Sequence, residues 1–180
     1  MAEKYHVIVA GAGPAGLMAS LKAAEKGLKV LVVEKKNNLC EELKTTGNSF
    51  RIKNPINGEF LTVDPENGKA IVHFHNSNFD MEYSGKLIPT YNTYAFSNSG
   101  YCVRSTRKDR PLTCVYRMET LFKDLKEKAE KAGATFMTGT VALSAENGKT
   151  GATLQVKKDG KVSFLEADCI IAADGLNSRL

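Results

Sequence analysis

Residues 5–36 read YHVIVAGAGPAGLMASLKAAEKGLKVLVVEKK and decide the fold of the chain. An apolar run leads into Gly11, Gly13 and Gly16, a helical pattern follows, and a second apolar run ends on Glu34. This order of strand, glycine loop, helix, strand and acid is typical of a dinucleotide site. The first glycine allows the tight turn, the second lets a diphosphate approach the backbone, and the third lets the helix pack close to the strand.

The start of the helix and the end of the second strand supply the other parts of this site. Pro14 suits a first helical turn because no amide hydrogen is needed there, and the amides and positive dipole end that follow face a phosphate. Glu34 is placed to accept hydrogen bonds from ribose hydroxyls. Its charge favours a free 2′-hydroxyl over a 2′-phosphate, although Lys35 and Lys36 weaken that argument. A merely structural glycine turn is the alternative.

Composition narrows the classes of protein and partner. The chain has 180 residues and a net charge of +5, which is too mild and too scattered to indicate nucleic-acid binding. This charge suits an anionic cofactor or substrate, or weak contact with a membrane surface. The four cysteines form no C-x-x-C pair and no metal spacing with histidine, so free thiols in the cytoplasm are expected, with Cys169 in the core. No signal peptide or membrane-spanning run is visible.

Periodicity predicts the remaining elements. Helices are expected over residues 14–26, ended by Gly27, and over 117–132. Strands are expected over 28–33, 135–141 and 169–173, with a hairpin of 152–157 and 161–166 that turns on Asp159-Gly160 and forms a small antiparallel sheet with 141–144. Between residues 51 and 103, recurring turn signals separate short strand-like stretches, which predict a mostly antiparallel sheet without helices.

Several groups of residues leave two interpretations open. His73 and His75 share one strand face, where ordinary strand histidines are favoured over a metal site, and no metal is expected. A set of aromatic residues favours sheet core over an apolar substrate pocket; its members are Phe79, Tyr83, Tyr91, Tyr94, Phe96 and Tyr101. The basic loop containing Arg104, Arg107, Lys108 and Arg110 is either a solvated turn or a patch that steers an anion. The loop with Thr46 and Gly47 is either a plain connection or a passage beside the far end of the cofactor.

Three motifs together carry a family resemblance. They are G-A-G-P-A-G with Glu34-Lys35, the helix start V-Y-R-M-E-T-L-F, and C-I-I-A-A-D-G-L-N-S at residues 169–178. Their order resembles FAD-dependent oxidoreductases of the p-hydroxybenzoate hydroxylase and geranylgeranyl reductase superfamily, and the last motif looks most like the geranylgeranyl reductase branch, to which flavoprotein–quinone oxidoreductase relatives also belong. The resemblance implies an α/β fold: a Rossmann-like FAD-binding domain (parallel sheet with antiparallel β-meander) formed by residues 1–50 and 104–180. Residues 51–103 would be an inserted, incomplete, mostly-β substrate domain.

The resemblance also assigns roles to residues around FAD. Gly11, Gly13, Pro14, Ala15 and Gly16 would hold the diphosphate, Glu34 and Lys35 would lie at the adenosine ribose, and Thr46 and Gly47 would approach the flavin. Arg117 would lie near the diphosphate, the Val141 backbone would face the adenine, and Asp174 and Gly175 would lie by the diphosphate and ribityl chain. A turn acid after a strand is the alternative for Asp174. The sequence points to no catalytic acid, base or nucleophile.

The function implied is an FAD-dependent oxidoreductase of the reductase or dehydrogenase type, acting on a lipid-like or quinone-like apolar substrate. Alternatives are an aromatic monooxygenase using NAD(P)H and O2, an NAD-dependent dehydrogenase, and a non-catalytic nucleotide-binding module that needs a partner chain. NAD(P)H as electron donor, an electron-transfer partner and a peripheral membrane location are further expectations. Because the family fold continues past the Asp-Gly motif, the chain is expected to be an N-terminal FAD-binding fragment that holds FAD weakly or not at all and is inactive alone.

Overall fold

The computed structural model describes residues 4–39, 48–52, 55–66, 69–176, 178 and 180. It divides into two compact units, Met1–Glu42 with Phe122–Leu180, and Leu43–Leu121. The sequence predicts an inserted domain over 51–103. Within the second unit the strand at 113–115 pairs with those at 49–51 and 88–90.

Fourteen strands and two helices are formed by the described residues. In chain order they are β1 (Lys4–Ala10), α1 (Pro14–Glu25), β2 (Val30–Val33), β3 (Ser49–Arg51), β4 (Leu61–Glu66), β5 (Lys69–Phe74), β6 (Phe79–Tyr83), β7 (Ile88–Thr90), β8 (Asn92–Phe96), β9 (Cys102–Thr106), β10 (Thr113–Val115), α2 (Met118–Lys131), β11 (Thr135–Met137), β12 (Thr140–Gly148), β13 (Gly151–Lys158) and β14 (Lys161–Ala172). Both predicted helices are confirmed within two residues, and Gly27 follows the first with φ +75°.

One mixed sheet of six strands dominates the first unit. Its order is β11-β2-β1-β14-β13-β12, in which β11, β2, β1 and β14 run parallel and β12, β13 and β14 form an antiparallel meander. Residues 161–167 of β14 pair with β13, and residues 166–172 pair with β1, so this strand belongs to both parts. The predicted fold class, a parallel sheet with an antiparallel meander, is confirmed.

Burial on two faces explains why β1 and β2 are continuous apolar runs. Ile8, Leu31 and Val33 pack in one core cluster with Leu154 and Val156 of the meander. Helix α1 packs against β1, β2 and β14 and buries its apolar residues, Leu17, Leu21 and Ala24. The parallel strands are therefore fixed from both sides, and their carboxyl ends are held in place.

Two details of this unit correct the sequence prediction. The strand expected over 135–141 is two strands, because Gly139 adopts φ +63° between β11 and β12 and turns the chain out of the parallel sheet. Cys169 is exposed, although the apolar run around it predicted a core position. Its half of β14 pairs with β1 alone, so no strand of the meander lies alongside it.

The second unit contains three small antiparallel sheets, β3-β10-β7, β4-β5-β6 and β8-β9, and its described residues form no helix between 51 and 103. Tyr83 is fully buried and Phe79 stacks on Phe74 with ring centroids 4.3 Å apart. The core interpretation of the aromatic residues holds for Tyr83, whereas Phe79 is half-buried. It is wrong for four others, which are exposed because their strands form a separate hairpin or lead into it: Tyr91, Tyr94, Phe96 and Tyr101.

His73 gives this unit a pH-dependent contact. Its Nδ1 lies 2.6 Å from Asp80 Oδ1 and its Nε2 lies 3.3 Å from Asp64 Oδ2, and the hydrogen bond with Asp80 raises the pKa of His73. The folded-state pKa exceeds the unfolded one, so the stabilisation is complete below the unfolded pKa and is lost as pH rises through the folded pKa.

We therefore expect His73→Gln to lower the urea midpoint at about pH 5.5 and to have a smaller effect at about pH 8.5, where less of the wild-type histidine is protonated. Urea titrations at both pH values measure this difference. His75→Gln is the matched control, because His75 bonds Thr62 Oγ1 at 2.8 Å and, among the described residues, no carboxylate. An equal loss for His73→Gln at both pH values would refute the role of the protonated imidazole.

Candidate dinucleotide-binding site

Three chain segments meet at the carboxyl ends of the parallel strands. The Gly11 N–H donates to the Val33 carbonyl at 2.7 Å, which ties the end of β1 to the end of β2. The Ala173 N–H donates to the Ala10 carbonyl at 2.8 Å, which extends the pairing of β1 with β14 by one residue. The glycine loop after β1 and the Asp174-Gly175 bend after β14 therefore lie side by side, as open parallel sheets place their ligand sites.

The contact between these two bends is close enough to require glycine. A Cβ at Gly11 would lie 2.3 Å from the Ala173 carbonyl oxygen, and its φ of +103° is unfavourable for other residues. A Cβ at Gly16 would lie 1.9 Å from the Gly11 oxygen and 3.3 Å from the Ala173 Cβ. The first and third glycines of the motif thus serve packing within the protein.

Gly13 differs from both of them. It precedes α1 with φ −70° and ψ 178°, a conformation open to any residue, and a Cβ there would meet no described atom within 4 Å. Neither strain nor crowding by the described residues accounts for glycine here. The open space fits the sequence prediction that a diphosphate approaches the backbone at this residue.

The amino end of α1 presents donors beside that space. Pro14 has no N–H, Gly13 offers no side-chain cap, and among the described residues no acceptor is recorded for the Ala15 and Gly16 N–H groups. Such amides, together with the helix dipole, suit a phosphate oxygen. The residues present therefore fit a diphosphate.

Glu34 holds the glycine loop from the adjacent strand. Its side chain is buried, with Oε2 accepting from the Ala12 N–H at 2.7 Å and Oε1 accepting from the Lys36 N–H at 2.9 Å. Each carboxylate oxygen retains a further lone pair. The carboxylate thus orders the loop and keeps acceptors for the ribose hydroxyls that the sequence predicts.

Thr140 is a residue of this site that sequence reasoning missed. Its N–H donates to the Glu34 carbonyl at 2.9 Å, it is fully buried, and its hydroxyl donates to the Thr138 carbonyl at 3.1 Å. The Glu34 N–H in turn donates to the Met137 carbonyl at 3.0 Å. Gly139 is the sequence signal that could have identified Thr140. A glycine inside a predicted strand marks a turn, and this turn places Thr140 beside Glu34.

The other predicted residues are distributed as follows. Lys35 is exposed, Val141 is half-buried next to Thr140, Asp174 is half-buried, and Gly175 is exposed with φ +92°. Arg117 lies in the second unit, exposed directly before α2, and its N–H donates to the Tyr83 hydroxyl at 2.9 Å. Thr46 and Gly47 lie outside the described residues.

Two family models match the chain, and both are described as an FAD binding domain. One covers residues 6–44, and the other covers residues 69–180, which is more than half of the chain. The chain belongs to the FAD-binding domain family. The glycine loop of this FAD-binding domain lies in the first match, and its Asp174-Gly175 bend lies in the second.

Relatives of this FAD-binding domain include named reductases. It is 31% identical to digeranylgeranylglycerophospholipid reductase of Methanosarcina acetivorans, with 100% of this chain and 40% of the relative covered. It is 28% identical to the chloroplastic geranylgeranyl diphosphate reductase of Arabidopsis thaliana, with coverage of 99% and 35%. The chain thus spans about two fifths or less of the length of these relatives.

A solved structure shares the fold of this FAD-binding domain. The geranylgeranyl bacteriochlorophyll reductase-like protein of Thermoplasma acidophilum superposes with a TM-score of 0.67 at 20% identity, covering 100% of this chain and 44% of that one. At this identity the likeness concerns the fold.

The described residues of the FAD-binding domain include no group of three or more His, Cys, Asp or Glu side chains placed to share a metal ion. Neither α1 nor α2 is long and apolar enough to cross a membrane. The dinucleotide site at the strand ends is therefore the centre of the functional proposal.

Glu34→Gln tests the ordering role of the carboxylate. A glutamine retains one acceptor oxygen for the Ala12 or Lys36 amide and presents an N–H group to the other. We expect the flavin-free protein to lose about 1.5–3 kcal/mol of unfolding free energy, the usual effect of a hydrogen bond to a charged group. Urea unfolding measures it, with the exposed Lys35→Gln as a control that should change little. Equal stability of Glu34→Gln and wild type would contradict the ordering role.

Proposed function

We propose that the whole protein is an FAD-dependent reductase that acts on an apolar lipid carrying an isoprenoid chain, and that this chain contributes its nucleotide-binding part. The observation that carries the proposal is the open space at Gly13: no described atom lies within 4 Å of its Cβ position, although Gly11 of the same loop lies directly against Ala173 and Asp174. The names of both curated relatives, which contain geranylgeranyl, support the substrate class. Bound FAD supplies a ring that accepts or donates a hydride.

The residues of this chain bind and orient in the proposed function. The Ala15 and Gly16 amides at the start of α1 hold the diphosphate oxygens, and Gly13 keeps the backbone accessible to them. Glu34 accepts from the adenosine ribose while it fixes the loop through Ala12. Asp174 directly follows Ala173, whose carbonyl lies against Gly11. The Asp174 side chain bonds the ribityl side of the cofactor. Three further assignments stay predictions. Thr46 and Gly47 approach the flavin, the Val141 backbone faces the adenine, and Arg117 lies near the diphosphate.

The electron donor and the location complete the proposal. NAD(P)H is the proposed donor, and a cytoplasmic position peripheral to a membrane suits a lipid substrate. The monooxygenase alternative predicts a different consumption of O2. A monooxygenase would consume O2 and NAD(P)H in proportion to the substrate converted, whereas a reductase oxidises NAD(P)H with its substrate in the absence of O2. A protein of full length that takes up no flavin would instead favour the non-catalytic module.

Asp174→Ala is the experiment on which the flavin assignment depends. We expect FAD affinity to fall about 10- to 100-fold, which corresponds to the loss of one or two hydrogen bonds to a charged group. Titration of FAD and of NAD in parallel, followed by flavin fluorescence and by calorimetry, measures the change. The NAD-dehydrogenase alternative predicts that NAD binds and that Asp174→Ala has little effect on it.

Asp168→Ala is the matched control, on the strand that precedes Asp174. Asp168 is exposed and pairs with Lys4 at 2.7 Å near the amino end of β1, and its hydrogen bond with Lys4 lowers the pKa of its carboxyl. This variant should bind FAD like wild type. Unchanged FAD affinity of Asp174→Ala, with an unchanged urea midpoint, would refute the role given to Asp174.

A further inference from the structure

The turn between β11 and β12 holds the backbone of Glu34 through both of its polar groups. The Glu34 N–H donates to the Met137 carbonyl at 3.0 Å, and the Glu34 carbonyl accepts from the Thr140 N–H at 2.9 Å. A third bond of the same kind runs from the Gly139 N–H to the Lys36 carbonyl at 3.0 Å. This turn therefore fixes the backbone of Glu34 just after β2, and with it the position from which the carboxylate projects.

The hydroxyl of Thr140 closes this turn. Thr140 is fully buried, and its Oγ1 donates to the carbonyl of Thr138, two residues earlier, at 3.1 Å. A buried hydroxyl is costly without a hydrogen-bond partner, and here the partner belongs to the turn itself. Gly139, between the two threonines, has φ +63°, which favours glycine. The hydroxyl and the glycine together set the shape of the segment that holds Glu34.

Glu34 passes this constraint on to the glycine loop. Its carboxylate accepts from the Ala12 N–H at 2.7 Å and from the Lys36 N–H at 2.9 Å. A displacement of the Glu34 backbone would lengthen or bend both bonds, which weakens them. The β11–β12 turn, the acid and the glycine loop are thus joined by one continuous series of hydrogen bonds.

We propose that Thr140 is a positioning residue for recognition of the adenosine ribose, and that it acts through Glu34 without touching the nucleotide. This inference rests on the proposed function, in which the remaining lone pairs of the Glu34 carboxylate accept from the ribose hydroxyls. Such a bond contributes most to binding when its acceptor is already held in place, because little ordering remains to be done. The Thr140 hydroxyl supplies part of that order before the nucleotide binds.

Amide hydrogen exchange of the ligand-free protein, followed by NMR, tests the positioning directly. The amides of Ala12 and Lys36 both bond the Glu34 carboxylate. We expect Thr140→Val to accelerate the exchange of both about tenfold, because the carboxylate is held less firmly. The Ala173 amide bonds the end of β1 at the same site without Glu34, and it should exchange at the wild-type rate. Thr140→Ser keeps the hydroxyl and should restore wild-type exchange throughout.

Thr135→Val is the matched control. The Thr135 hydroxyl donates to the Val30 carbonyl at 3.1 Å, so it ties the start of β11 to the start of β2. Glu34 follows the other end of β2. The control variant therefore loses an equivalent hydrogen bond on the same two strands, and it should leave the Ala12 and Lys36 amides and nucleotide binding unchanged.

Binding of ADP and of 2′-deoxy-ADP measures the consequence for the ribose. The two nucleotides share the adenine and the diphosphate and differ by one ribose hydroxyl. We expect wild type to prefer ADP about tenfold or more, as for one hydrogen bond to a charged group. In Thr140→Val this preference should fall below about threefold, whereas Thr140→Ser and Thr135→Val should keep it. Calorimetry measures both affinities.

Two results would overturn the proposal. The first is wild-type exchange of the Ala12 and Lys36 amides in Thr140→Val, or an acceleration that the Ala173 amide shares equally, since that indicates a general loss of stability. The second is an unchanged preference for ADP in Thr140→Val. Failure of the proposed function gives a different result: wild type would bind neither ADP nor FAD. The exchange experiment needs no ligand, so it still decides whether Thr140 positions the carboxylate.

Discussion

Gly11→Ala is expected to lower the free energy of unfolding by about 2–5 kcal/mol, enough to unfold a marginally stable domain. Two independent costs add up. The new Cβ would lie 2.3 Å from the Ala173 carbonyl oxygen, a backbone atom that cannot move without disturbing the pairing of β1 with β14, and φ is +103°. Urea unfolding followed by circular dichroism measures the loss.

Gly27→Ala separates these two costs. Gly27 also has positive φ, at +75°, but a Cβ there would meet no described atom within 4 Å. This variant should lose only about 1–2 kcal/mol, the cost of the left-handed conformation alone. If both variants were equally stable, the contact between the glycine loop and the Ala173 carbonyl would not contribute to the fold.

Gly13→Ala is expected to have the opposite profile: flavin affinity falls about 10- to 100-fold, while the unfolding free energy changes by less than about 1 kcal/mol. The φ of −70° and the open space around the Cβ position make alanine acceptable to the protein. The methyl group would, however, occupy the place where a diphosphate approaches the backbone. FAD titration and urea unfolding on the same preparation measure both quantities.

Comparing Gly11→Ala with Gly13→Ala separates an effect on FAD binding from an effect on stability. The two positions are two residues apart in one loop, and only one of them is crowded by the protein. A variant Gly13→Ala that keeps wild-type FAD affinity would show that the diphosphate does not pass over this residue. A large loss of stability in the same variant would show that the space around it is filled in solution.

The sequence predicts the β1–α1–β2 unit well because its signals are local. A buried apolar run, the glycine spacing, the helical period and Gly27 all lie within about thirty residues, and each acts on its own neighbourhood. The Asp159-Gly160 hairpin is predicted for the same reason, and both residues have positive φ, at +49° and +78°.

Exposure was predicted poorly where it depends on strands far away in the chain. Cys169 sits in an apolar run, yet only tertiary pairing decides that its half of β14 has one neighbour. The exposed aromatic residues of β8 read like core residues because strand periodicity carries no information on whether a second sheet covers them.

The assignment of the candidate binding residues rests on motif spacing, which does not predict the contacts among them. Glu34 was expected to face a ribose, and its bond to the Ala12 N–H depends on loop geometry that residue types do not reveal. The proximity of Asp174 to Gly11 followed from two motifs that end parallel strands. Thr140 stayed unnoticed because a threonine at a strand start has no distinctive pattern.

The pairing of β1 with β14 has a consequence for how the chain acquires its shape. In the parallel pairing, Lys4 of β1 lies opposite Glu166 of β14, and Ala10 lies opposite Ala172. Strand β1 can therefore form this pairing only after the intervening segment and β14 have been synthesised. Contacts of such high contact order form slowly, since a long loop must close before any energy is gained. During translation β1 therefore keeps one edge unpaired until β14 has left the ribosome, and the candidate dinucleotide site forms only after that.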